Sequence, residues 1–317
     1  MTLRASVIVP AYNRPELLSK AIEALCDQSV PKKDFEIIIM YGKSAEVAKV
    51  CKKAAAQNKN LSCFACETES PARKRNIGIA NAKGKIIAFT DDDCIPKKDW
   101  LEKILARFEK SPKIAGVEGE TYTDTEFTGG KKLLYSNAPV NENGGLFPTC
   151  NMAFRKSVLD KIGGFDESFH FYREDSDIAF RAMELGNIGF CPEAKVLHPQ
   201  RRVGLLRPIE TLFLLKEDVR LFKKNPGRYW KYLGWAAIKE ILKAAVSLAA
   251  AICAVYILAL APVFAILLAP AYLGFWHYMM RTKAEYTFLE LFAFSSLTLL
   301  RNILYFPALI YYGLVIW

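Results

Sequence analysis

Apolar and polar positions follow two regimes along the chain. Over the first 200 residues, short apolar runs at 5–9, 36–40, 61–67, 85–90 and 114–121 read as strands, and amphipathic segments at 15–26, 44–57, 71–82 and 98–109 read as helices. Pro15 and Pro71 suit first helical turns, where a missing amide donor costs nothing, and Ser70 suits an N-cap. Alternating strands and helices predict an α/β domain on a largely parallel sheet. A different pattern takes over later. From Ala244 to Met280 there is no Asp, Glu, Lys or Arg, a run of 37 residues, which is about 55 Å of helix at 1.5 Å per residue. That is nearly twice a hydrocarbon core of about 30 Å. Pro262 falls near its middle, so the pattern predicts two spans, 241–260 and 262–280, joined by a tight turn.

Charge sharpens this division. The 317 residues carry 43 Lys and Arg against 33 Asp and Glu, a net +10, and 52% are hydrophobic, which excludes a disordered chain. Residues 201–231 hold nine Lys or Arg against three acids, and Leu205, Ile209, Leu212, Leu215, Val219 and Phe222 recur at helical spacing. A basic amphipathic helix before a span suits anionic membrane lipids, and the bilayer makes nucleic acid the weaker partner. The expected organisation is a catalytic domain at 1–200, a basic juxtamembrane region at 201–232 and a membrane region at 233–317. Its tail, 286–317, includes Glu290 and Arg301, whose charges are costly at a bilayer centre. The tail is therefore expected to lie in the membrane interface, with a third span as the alternative.

The first residues lack a secretory signal, and Arg228, Lys231, Arg281 and Lys283 flank the hairpin on one side. This predicts a multi-pass protein of the cell membrane whose catalytic domain is cytoplasmic. Eight cysteines in a reducing compartment are expected to be free thiols, and Cys63-x-x-Cys66 lacks a second ligand pair at zinc spacing.

Chemistry should gather beyond the carboxyl ends of the strands, where open α/β sheets bind ligands. After the first strand comes Pro10-Ala11-Tyr12-Asn13-Arg14, and after the fourth Asp91-Asp92-Asp93. Three adjacent carboxylates repel one another unless a cation compensates them, and oxygen ligands suit Mg²⁺ or Mn²⁺. Glu174, Asp175 and Asp177 open a later helix, where Asp175 could be a general base. His198 follows an apolar run. A solvated acidic turn, a dipole-stabilised helix start and a structural histidine are the corresponding plain readings.

The ordered set SVIVPAYNR (6–14), ARKRNIGIANAKGKIIAFTDDD (72–93) and TCNMAFRKSVLDKIGGFDESFHFYREDSDIAFRAMELG (149–186) resembles the inverting glycosyltransferase family 2, whose catalytic domain has the GT-A fold. The resemblance implies a Rossmann-like, mainly parallel sheet flanked by helices. It sets the nucleotide against Pro10, Ala11 and Tyr12, with Arg14 near, and makes Arg75 and Asn76 contacts to it. Asp91 and Asp93 match a DxD motif: Asp91 would face ribose and sugar, and Asp93 would hold the metal, with Asp92 between them. Asn151 would line the sugar pocket, Glu174 and Asp175 match a motif whose Asp is the catalytic base, and His198 falls where a contact to metal or diphosphate is expected.

One departure concerns the base. Where the family usually has an Asp-rich turn after the second strand, this chain has Ile39-Met40-Tyr41-Gly42-Lys43-Ser44. UDP-, GDP- and dTDP-sugars all stay open as donors, UDP first. The expected activity is sugar transfer, with inversion and metal assistance, to a hydroxyl of a lipid-linked or cell-surface glycan. The alternatives are transfer to polyprenyl phosphate and a catalytically silent membrane scaffold of the same fold. Oligomeric state is not readable.

Overall fold

The computed structural model describes residues 3–123, 140–199, 204–260 and 288–315. The chain divides into two compact units, Met1–Asp124 with Asn137–Pro199, and Thr125–Ser136 with Gln200–Trp317. The strands of the first unit are β1 (Ala5–Ala11), β2 (Phe35–Tyr41), β3 (Leu61–Ala65), β4 (Ile86–Phe89), β5 (Ile95–Pro96), β6 (Gly116–Tyr122), β7 (Met152–Arg155) and β8 (Ile188–Leu197). They form one sheet in the order β3-β2-β1-β4-β7-β6-β8-β5. The first four are parallel; β7 runs antiparallel to β4 and β6, and β5 antiparallel to β8. The sheet is thus mixed, and its parallel half is the one that alternation of strands and helices predicts.

Helices α1 (Pro15–Cys26), α2 (Ala45–Gln57), α3 (Pro71–Asn81), α4 (Trp100–Lys110), α5 (Lys156–Ile162) and α6 (Glu174–Ala182) flank it. Side chains alternate across a strand, and β1 uses both faces: Val7 and Val9 join Leu18, Leu25, Trp100 and Ile104 in one core, while Ile8 meets α3. At Gly78 a Cβ would stand 2.6 Å from the Ile8 side chain. The absence of a side chain there lets α3 lie close against the sheet. Ser44 and Ser70 cap α2 and α3 by accepting the amides of Val47 and Arg73.

The second unit contains α7 (Arg207–Lys224), α8 (Pro226–Leu260) and α9 (Phe288–Val315). Leu212 and Leu215 of α7 pack with Ala244 of α8 and Tyr305 of α9. Of the apolar stripe of α7, Leu212, Leu215 and Val219 are buried, while Phe222, and Leu205 just before the helix, stay exposed. In the tail, α9 continues as one helix through Asn302 and Pro307. Arg301 pairs with Glu240 at 2.8 Å and Asn302 donates to Ser247 at 2.9 Å, so polar groups costly in lipid satisfy one another across two helices. The expected first span, 241–260, forms the second half of α8, and the second, 262–280, lies outside the described residues. Among the described residues, no helix is long and apolar enough to cross a membrane.

Candidate active site

The polar segments after β1 and β4 meet, because these strands are parallel neighbours with their carboxyl ends on one edge. Arg14 ties them together. It pairs with Asp92 and, through Nη1, with Asp93 Oδ2 at 2.8 Å, and Asp92 also accepts the Tyr12 amide at 2.7 Å. Asp92 is fully buried, and burial pushes its carboxyl up to about 6, against the pull of Arg14 and the amide. It is a strut between two loops.

Asp93 turns its other oxygen towards His198, whose Nε2 lies 4.0 Å from Oδ1. Ligand atoms of Asp91, Asp93, Cys94 and His198 all lie within 4.8 Å of one another. Two carboxylates and an imidazole are a donor set for Mn²⁺ or Mg²⁺. Cys94 fits less well, since a soft sulfur ligand suits neither Mg²⁺ nor Mn²⁺.

Arg75 extends the cluster towards α6. This buried guanidinium donates to Asp91 Oδ1 at 2.9 Å and to Glu174 Oε1 at 3.1 Å, and lies 5.5 Å from the Phe165 ring centroid. Asp175 follows Glu174 in the first turn of α6. Its Oδ1 accepts the Ser176 amide at 2.7 Å. The side chain keeps a partly open surface, yet burial first and the Glu174 charge second raise its carboxyl from the ordinary 3.8 to about 7. Such a group can take a proton at neutral pH.

The other wall is formed by the end of β1. Lys74 of α3 is buried and donates to the Ala11 carbonyl at 2.8 Å and to Glu69 at 2.7 Å; its ammonium is 5.7 Å from the centre of the Tyr12 ring. Tyr12 itself is 51% exposed.

The sequence over residues 6–166 matches a family model described as glycosyl transferase family 2. The chain belongs to glycosyl transferase family 2. Among its relatives, glycosyltransferase AglE of Haloferax volcanii is 24% identical over 216 residues, covering 63% of this chain and 71% of that protein. The dolichyl N-acetyl-alpha-D-glucosaminyl phosphate 3-beta-D-2,3-diacetamido-2,3-dideoxy-beta-D-glucuronosyltransferase of Methanococcus voltae is 24% identical over 255 residues, 78% of this chain and 72% of that one. Several other relatives are longer, and the chain covers 18 to 31% of their length. The mannosyltransferase PcManGT from Pyrobaculum calidifontis, solved with GDP-Man and Mn²⁺, shares the fold at a TM-score of 0.67 and 18% identity, covering 99% of this chain and 88% of that one.

Against this family background, two residues expected in the pocket serve the framework. Asn151 is fully buried. Its Oδ1 accepts Trp100 Nε1 at 2.8 Å, and its amide donates to the Glu120 and Ala194 carbonyls at 2.8 and 2.9 Å, which leaves no hydrogen for a sugar. Asn76 spends its side chain on the loop after α5, accepting the Phe165 amide at 2.7 Å and donating to the Phe165 carbonyl and Glu167, both at 2.9 Å. Both side chains are thus engaged by internal partners. Three residues near the site escaped the reading of the sequence: Lys74, Glu69 and Cys94. The first was visible only as one more cation in the run Arg73-Lys74-Arg75.

Proposed function

We propose that the chain is an inverting glycosyltransferase that moves a sugar from a nucleoside-diphosphate sugar to a hydroxyl of a lipid-linked or cell-surface glycan, with help from Mn²⁺ or Mg²⁺. The observation that carries this reading is the convergence of Asp91, Asp93 and His198 beside Arg75, which joins them to the Glu174-Asp175 pair.

Asp93 Oδ1, Asp91 and His198 would hold the cation, while Arg14 occupies Asp93 Oδ2. Bound there, the cation supplies Lewis-acid stabilisation of charge on the departing diphosphate. Asp175 accepts the proton of the acceptor hydroxyl as that oxygen attacks the anomeric carbon from the face opposite the leaving group. One displacement inverts the configuration, and the carboxylate ends protonated. Glu174 is a positioning residue, holding Arg75 and, by its charge, keeping Asp175 basic. The lipid-linked class of acceptor is supported by the named activity of the Methanococcus voltae relative.

The helical unit would serve as a multi-pass anchor holding the catalytic domain at the cytoplasmic face. Leu242, Val246, Ile252 and Val255 of α8 are all more than half exposed, an apolar surface suited to lipid. The test of the catalytic reading is donor hydrolysis by the full chain, with and without Mn²⁺, in wild type and Asp93→Ala. Metal-dependent turnover in the wild type and its loss in the folded variant are expected. Equal turnover in both would remove Asp93 from the site.

A further inference from the structure

Resting on the nucleotide-sugar reading above, we infer that Glu69 is the residue that selects the base of the donor, and that the base is guanine. The turn after β2 offers no acidic side chain of its own, but Glu69 reaches over it from the loop between β3 and α3. A Cβ at Gly42 would stand 2.7 Å from the Glu69 carboxyl carbon, so the bare glycine is what lets the carboxylate lie on this turn. Buried Lys74 fixes it from behind, donating to Oε2 at 2.7 Å while its second anchor, the Ala11 carbonyl, sits at the end of β1. The same ammonium lies 5.7 Å from the centre of the exposed Tyr12 ring.

The result is an aromatic face and a half-exposed carboxylate fixed to one buried cation. A flat heterocycle stacked on Tyr12 would present its edge to Glu69. The carboxylate only accepts hydrogen bonds, and its two oxygens suit two parallel N–H donors. Guanine has that edge, with N1–H beside the 2-amino group. Uracil and thymine offer one N3–H between two carbonyl oxygens, which a carboxylate repels on both flanks. Cytosine and adenine each set a single amino group beside an acceptor nitrogen. Only guanine pairs two donors with both oxygens and sets no acceptor against either.

The experiment is calorimetric titration of the full chain, with Mn²⁺, by GDP, UDP and inosine diphosphate, which differs from GDP only in lacking the 2-amino group. GDP is expected to bind about ten- to a hundred-fold tighter than either, the value of a hydrogen bond to a charged group. Glu69→Gln should weaken GDP by a similar factor and bring GDP and inosine diphosphate close together. Gly42→Ala, which displaces the carboxylate without removing it, should do the same. UDP binding as tightly as GDP, or equal binding of GDP and inosine diphosphate by the wild type, would overturn guanine selection while leaving the nucleotide-sugar site standing. Binding of none of the three would overturn both.

Discussion

Arg75 sits 2.9 Å from Asp91 with only 4% of its own side chain exposed, and the same fork reaches Glu174. The segment after β4 and the first turn of α6 are thus held by one cation. Its Nε has no hydrogen-bond partner.

Arg75→Met should strand two carboxylates. Breaking a buried pair costs roughly 3–5 kcal/mol, and the lower end applies here because Asp91 keeps 26% exposure. Urea unfolding measures it. Arg75→Lys, which keeps the charge but not the fork, should regain part of the stability and little of the transfer rate.

Asp175 gives the reaction a pH dependence whose direction is fixed by its raised carboxyl. The base form is present above about 7, so transfer should rise through that pH and level off. Asp175→Asn should slow transfer by about 10²–10⁴ and flatten the profile. Glu174→Gln removes the repelling charge and should shift the inflection to lower pH. An inflection that stayed in place in Glu174→Gln would remove that charge as its cause.

Stability should move the other way. Between the ordinary 3.8 and about 7, the folded protein holds a proton on Asp175 that the unfolded chain releases. Folding is thus weakened as pH rises across that window, and above it this group adds no further pH dependence. Thermal melts from pH 4 to 8 should show a smaller decline in Asp175→Asn than in wild type.

Asn151→Ala tests a framework role. It leaves the Trp100 indole N–H and the carbonyls of Glu120 and Ala194 without their partner, for a loss of about 2 kcal/mol or more. Denaturation should register this while nucleotide affinity in the folded fraction stays near wild type. Reduced affinity with unchanged stability would return Asn151 to the pocket.

Glu240→Arg or Arg301→Glu alone should loosen the helical unit in detergent, read by limited proteolysis, because each puts like charges at the 2.8 Å contact between α8 and α9. The double exchange should restore resistance.

The parallel half of the sheet was legible because β1, β2 and β4 are fully or mostly buried apolar runs that alternate with amphipathic helices. β8 was not. Its bulge opposite Gly119 and Glu120 absorbs Pro192-Glu193-Ala194, which breaks the alternation that marks a strand. β7 is only four residues long and enters antiparallel, and short antiparallel pairings leave little trace in sequence. At the site, acidic motifs marked where chemistry gathers, whereas the division of labour among the polar residues stayed hidden. An amide group reads alike whether it faces a sugar or saturates carbonyls, as Asn151 and Asn76 do. Nor does periodicity report that the buried face of α3 is built from Lys74 and Arg75 beside Ala72 and Gly78.

Lys74, Arg75 and Asn76 are consecutive on α3 and point to three different parts of the molecule: the end of β1, the bridge between Asp91 and Glu174, and the loop at Phe165. Successive residues on a helix are turned by about 100°, so a single insertion after Pro71 would swing all three out of register together. In evolutionary terms this turn behaves as a cassette. It can be inherited or exchanged whole, but stepwise drift within it would disconnect donor recognition from proton transfer, and new donor preferences are better sought in residues that only one of the three touches, such as Glu69.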